Sequence, residues 1–145
     1  MSGTRRTLEE LIDLQEPGIR LVLDWAGQCA RPVEVLPVDV TDAERTLLDL
    51  QITTSSPLGA VAYETGGILL DGGWLRILGA GAGKLPRTIA SWNRLDRPRA
   101  EHRLPGALLV ADDAIGGFFA INGGAFDGPL GNLFYLAPDT LRWED

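Results

Sequence analysis

Residues 79–84, GAGAGK, come closest in this chain to a phosphate-binding loop. An apolar run (WLRIL, 74–78) precedes them and a helical pattern follows, which is the context such a loop requires. The spacing fails. A phosphate loop of the form G-x-x-x-x-G-K-[ST] needs Gly where Leu78 stands and Ser or Thr where Leu85 stands, so the hydroxyl that would ligate Mg²⁺ is missing. The dinucleotide pattern G-x-G-x-x-G fails as well, because Lys84 occupies the third glycine position. Asp112 and Asp113 form the one adjacent carboxylate pair on a strand-like run. Neighbouring strand residues point to opposite faces, so the two do not converge on a metal or a proton. The run DDAIGG instead reads as a hairpin turn with Asp accepting local backbone N–H bonds. Asn122-Gly123-Gly124 is turn chemistry of the same kind.

Cys29 and His102 are single examples of their types, and nothing local brings them together as a nucleophile and base. One Cys and one His cannot supply the four ligands of a usual zinc site. G-x-S-x-G is absent. No cofactor and no metal is therefore expected, and catalysis has no obvious carrier. If the chain is an enzyme or small-ligand binder of unrecognised type, the GAGAGK loop together with Asp112 or Asp113 is where it would act. The four tryptophans, Trp25, Trp74, Trp92 and Trp143, are core packing or interface anchors. Trp74 directly follows a tight turn and is the one expected to be exposed.

Composition sets the frame for these residues. The 145 residues fit one domain, 1–145, and can bury a real core. A net charge of −7 disfavours nucleic acid, whose phosphates need a basic face, and would steer a basic protein partner. A single cysteine precludes an internal disulfide and fits a reducing compartment, so a cytoplasmic location is expected. No signal peptide is visible and no apolar stretch is long enough to span a bilayer.

The elements that must position the candidates follow from periodicity. Apolar spacing predicts helices over 7–14, from Pro17 to about Gly27, over 42–50, a short one over 58–63, and one over 86–95. In the second, Ile19, Val22, Leu23 and Ala26 form the expected stripe, with Trp25 off it. Thr41 and Glu44 spell a capping box for the third. Residues 32–40 read as an edge strand or extended connection interrupted by Pro37. GILL-DGG-WLRIL is the clearest hairpin, and 96–103 reads as a polar loop. The runs 107–111, 117–122 and 132–137 form a closing antiparallel meander. The expected fold is α+β, with an antiparallel meander sheet of about five to six strands packed with N-terminal helices and one central helix. The closing strands are apolar on both faces, so either helices cover both sides or one face is a docking surface.

Several blocks resemble a bacterial family of unknown function: LGAVAYETGGILLDGGWLRILGAG (58–81), Trp92-Asn93, VADDAIGGFFAINGG (110–124) and LFYLAPDTLRWE (133–144). A more distant similarity is to the SUKH superfamily, through a helix at 42–50, GGILL, WLRIL, VADDAIGGFFAI and NLFYLAPD in that order. That resemblance implies a non-enzymatic protein-binding domain, of a kind that often serves as an immunity protein neutralising bacterial toxins. The NGG that usually follows the early helix is represented here only by Glu64-Thr65-Gly66-Gly67. Both groups generally continue with more helix past the equivalent of Trp143-Glu144. The resemblance implies a protein partner, either a basic toxin or a second copy of the chain. Its surface is expected on the sheet near Trp74, Arg76, Phe118, Phe134 and Tyr135, rimmed by Asp112 and Asp113. A self-associating homodimer through an apolar sheet face is the third expectation.

Overall fold

The structure is a computed structural model that describes residues 5–95 and 106–144. His102 and the polar loop expected at 96–103 lie outside the described residues.

Turn chemistry lays down the sheet. Asp71, Gly72 and Gly73 reverse the chain with φ values of 53°, 72° and 98°. This positive-φ run is a conformation that glycine adopts freely and aspartate tolerates. It joins β2 (Gly67–Leu70) to β3 (Leu75–Leu78), with Leu69 opposite Arg76. β1 (Val33–Val35) pairs with β2 as an edge strand, as the proline-interrupted run foretold. β4 (Ala107–Asp113), β5 (Phe118–Asn122) and β6 (Leu133–Leu136) complete the meander, and β7 (Trp143–Glu144) closes it. The sheet runs β1-β2-β3-β4-β5-β6-β7, every pair antiparallel. Among the described residues seven strands stand against the expected five to six: β1 falls on the expected edge run, and the short β7 is the addition.

Among the described residues five helices accompany the sheet: α1 (Leu8–Leu11), α2 (Ile19–Gln28), α3 (Val40–Leu50), α4 (Pro57–Glu64) and α5 (Ile89–Trp92). Thr7 and Glu10 form a capping box on α1. That helix stops early because its continuation is diverted to Thr54, whose N–H donates to the Leu11 carbonyl and whose hydroxyl accepts from the Asp13 N–H. α3 is capped by Asp39, which accepts from the Asp42 N–H, and not by Thr41 as expected. Its buried residues Ala43, Leu47 and Leu50 match the expected face. The helix foreseen over 86–95 shrinks to one turn, because Asn93 leaves the helix to bond the sheet.

Strand alternation and register divide the side chains between two faces. Ile68, Leu70, Ile77, Phe119, Ile121, Asp113 and Tyr135 share the face on which α2 and α4 pack, the helix face. Leu69, Arg76, Asp112, Phe118, Ala120 and Phe134 share the other, the loop face. A register shift between Leu109 and Ala111 marks a bulge at Val110. The core gathers Leu36, Leu50, Ala62, Leu78, Leu85 and Ile89, each under a tenth exposed.

Candidate functional site

Arg76 and Asp112 stand directly opposite each other on β3 and β4. Arg76 Nε donates to Asp112 Oδ1 at 3.0 Å, and its Nη2 to Oδ2 at 2.8 Å. The same Nη2 donates to the Asp113 carbonyl at 2.9 Å. Arg87, from the loop before α5, makes a second fork on the same carboxylate. Its Nη1 reaches Oδ2 at 2.8 Å and its Nη2 reaches Oδ1 at 3.2 Å. The Asp112 side chain is 7% exposed, whereas those of Arg76 and Arg87 are 32% and 31% exposed. The Arg87 guanidinium lies over Trp92, 4.6 Å from the ring centroid, and Trp92 packs on Phe118 with centroids 5.3 Å apart. Paired forks of this kind are strong, directional contacts.

Asp113 faces the other way, as strand alternation requires. Its Oδ1 accepts from the N–H groups of Ile115 (3.2 Å) and Gly117 (2.8 Å), which is the hairpin-turn role read from DDAIGG. Its Oδ2 accepts from the Tyr135 hydroxyl at 2.7 Å. Burial works against the Asp113 charge. The bonds from Tyr135, Gly117 and Ile115 and the nearby Arg76 charge outweigh it and hold the carboxyl below its usual range. The same hydrogen bond, then burial, pushes the Tyr135 phenol up. Tyr135 fits only because residue 117 is glycine: a Cβ there would lie 2.1 Å from the phenol oxygen.

The seven expected site residues therefore do not form one patch. Arg76, Asp112, Phe118 and Phe134 lie on the loop face, and Asp113 and Tyr135 on the helix face. Asp112 and Asp113 are buried, so they are not an acidic rim. Their charges are engaged by arginines, backbone amides and a phenol. Phe134 is buried too, stacked on Phe126 of the loop that Asn122 organises. The Asn122 amide donates to the carbonyls of Phe126, Gly128 and Pro129 and accepts from the N–H groups of Gly124 and Phe126. Trp74 is 53% exposed, as expected of a residue after a tight turn. Arg87 escaped sequence reading because no local pattern links it to a carboxylate 25 positions away.

The GAGAGK loop is packed at Gly79 and Gly81 and exposed at Gly83 and Lys84. A Cβ on Gly79 would meet the Thr65 carbonyl at 2.7 Å, and one on Gly81 would meet Thr88 Cγ2 at 2.9 Å. Lys84 donates to Glu34 at 2.8 Å. Gly79 and Gly81 thus serve close chain approach, and the lysine is spent on an ion pair. Asn93, of the Trp92-Asn93 pair, also has a packing role. Its amide donates to the Leu109 carbonyl (2.8 Å) and accepts from the Leu109 N–H (2.7 Å), supplying the ladder bonds that β3 no longer reaches. Among the described residues no group of three or more His, Cys, Asp or Glu could hold a metal ion. None of their helices is long and apolar enough to cross a membrane.

The helix face carries a different feature. α2 is amphipathic, yet Val22 is its single buried residue. Leu21, Leu23 and Trp25 are 44%, 50% and 54% exposed, so the expected stripe holds at Val22 and fails at Leu23. Between α2, α4 and the sheet runs an apolar groove of about 510 Å³, with Trp25, Val61, Leu70, Ile77 and Ile121 among its walls. Among the described residues Ser56, Cys29 and the Trp25 indole N–H are its polar side-chain groups, and the Ser56 hydroxyl already caps α4.

The sheet order and the helix placement define an α+β domain built on an open antiparallel meander. Residues 8–145 match the family described as "Protein of unknown function DUF2625", and the chain belongs to that family. It is 43% identical over 140 residues to an uncharacterized protein of Haemophilus influenzae, an alignment covering 97% of this chain and 61% of that one. It is 40% identical over 139 residues to the putative uncharacterized protein YbfG of Escherichia coli K12, covering 96% and 62%. The chain thus spans about three fifths of the length of these relatives. No solved structure matches.

Proposed function

We propose that this chain is a non-enzymatic recognition domain that docks a basic protein on its helix face. The observation that carries the reading is the groove, flanked by an α2 that leaves Leu21, Leu23 and Trp25 in water. Exposed aromatic and aliphatic anchors around an apolar pocket are the usual anatomy of a binding hot spot. The groove offers few hydrogen-bonding side-chain groups beyond the Cys29 thiol and the Trp25 indole N–H. Its occupant must therefore arrive with its backbone already satisfied, as an apolar helix face does. The chain's net charge of −7 favours a basic partner and opposes a second copy of itself. The similarity to the SUKH superfamily in element order supports an immunity-type role, with a toxin as the basic partner.

The test is reconstitution with a purified candidate, found by capture from the encoding bacterium or as the product of a neighbouring toxin gene. A one-to-one complex is expected in calorimetry, weakened at least about tenfold by Trp25→Ala. Binding that survives both Trp25→Ala and Leu23→Asp unchanged overturns the reading. So does a failure of every basic candidate to form a stoichiometric complex. Concentration-dependent sedimentation abolished by those substitutions would replace the basic partner with a second copy.

A further inference from the structure

The loop face poses a separate charge problem. Arg76 and Arg87 donate to the same oxygen, Asp112 Oδ2, each at 2.8 Å. Two guanidinium charges are thereby held side by side over one carboxylate. The carboxylate of Asp113 points to the opposite face and is filled by Tyr135, Ile115 and Gly117. Among the described residues Asp112 is the one carboxylate that either guanidinium hydrogen-bonds, and the Asp113 carboxylate acts on Arg76 through its charge alone.

Its donors are not exhausted either. A guanidinium carries five N–H groups. Arg76 spends Nε and Nη2 and has no partner at Nη1 among the described residues. Arg87 spends one hydrogen on each Nη and has no partner at Nε there. Both side chains are about one third exposed, and Asp112 with Trp92 beneath holds them in place. An incoming anion would meet these spare donors and ease the repulsion between two adjacent guanidinium groups.

We propose that Arg76 and Arg87, fixed by Asp112 and backed by Trp92 and Phe118, form a binding site for a single oxyanion, a carboxylate or a phosphate. The overall charge of −7 repels anions at long range, so recognition here is short-range and hydrogen-bonded. The site lies on the face opposite the apolar groove, and it stands or falls independently of the partner proposed for that groove.

The experiment follows the arginine Nε–H resonances by ¹H–¹⁵N NMR during titration of the full chain. Inorganic phosphate is the probe in one arm and N-acetylglutamate in the other, at constant ionic strength. The expected result is a saturable shift at Arg87 Nε–H with a Kd on the order of 1 mM in at least one arm. The arm that saturates at the lower concentration names the source of the anion. Followed at the Arg76 Nε–H, Arg87→Gln should weaken binding at least about tenfold, and Lys84→Gln should leave it unchanged. If Arg87→Gln does not fold, Arg87→Lys keeps the charge and loses the fork, and several-fold weaker binding is expected. Linear, non-saturating shifts in both arms overturn the proposal, as does equal affinity in the Arg87 variants.

Discussion

Individual side chains here are mostly committed to holding the backbone, and Asp113 shows how tightly. Its folded-state pKa is depressed, so its contribution to stability is complete above the unfolded value near pH 4. That contribution is lost as pH falls through the lower folded value. Tyr135 has the opposite sign: its raised pKa adds stability that is complete below about pH 10 and lost as pH rises through the folded value. Tyr135→Phe should move the Asp113 carboxyl back up towards the ordinary range, read from its ¹³Cγ titration, and make the acid-side loss of stability shallower. An unmoved titration would show that the backbone amides and Arg76 hold the charge without the phenol. Asn93→Ala leaves both polar groups of Leu109 without their side-chain partner at a half-buried edge. It should cost about 2–3 kcal/mol in urea unfolding. A cost below about 0.5 kcal/mol would mean that water replaces the amide there.

At the level of elements, caps and ends decide what local pattern leaves open. Thr41 and Glu44 spell a capping box, yet the helix begins at Val40 because Asp39 reaches the Asp42 N–H first. Asp39→Ala should cost about 1 kcal/mol in thermal or urea unfolding, and Thr41→Ala under about 0.5 kcal/mol. The reverse order would return the cap to Thr41. The hairpins were legible because their turns are written in adjacent residues: Asp71-Gly72-Gly73 at one and the Asp113 amide bonds at the other. α5 was not. Its periodic run continues past Trp92, but β3 ends at Leu78 and leaves the Leu109 edge open. Asn93 turns aside to close that edge, and Arg94 then takes a φ of 60°. No window of sequence around residue 93 contains the end of β3. The same holds for Arg87, whose partner lies across the sheet.

For the whole molecule, stability is expected to be uneven, and the unevenness separates scaffold from binding surface. The meander is anchored on both faces: Ile68 and Ile77 pack towards α2 and α4, while Phe118 and Phe134 lie beneath Trp92 and Phe126. α2 has no such anchoring. It buries Val22 alone and keeps three large apolar side chains in water. At about 25 cal/mol per Å² of apolar area buried, a helix anchored by Val22 and a half-buried Ile19 is held far less firmly than a strand buried on two sides. Native-state hydrogen exchange should therefore find α2 amides opening locally, well below the global unfolding free energy. Amides of β4 and β5 should exchange only through global unfolding. Once a partner fills the groove, α2 protection should rise towards the sheet's value, because the ligand adds the missing anchors. If α2 is already as protected as β4 and β5 in the free chain, its exposed residues are not waiting for a partner, and the helix face is finished surface.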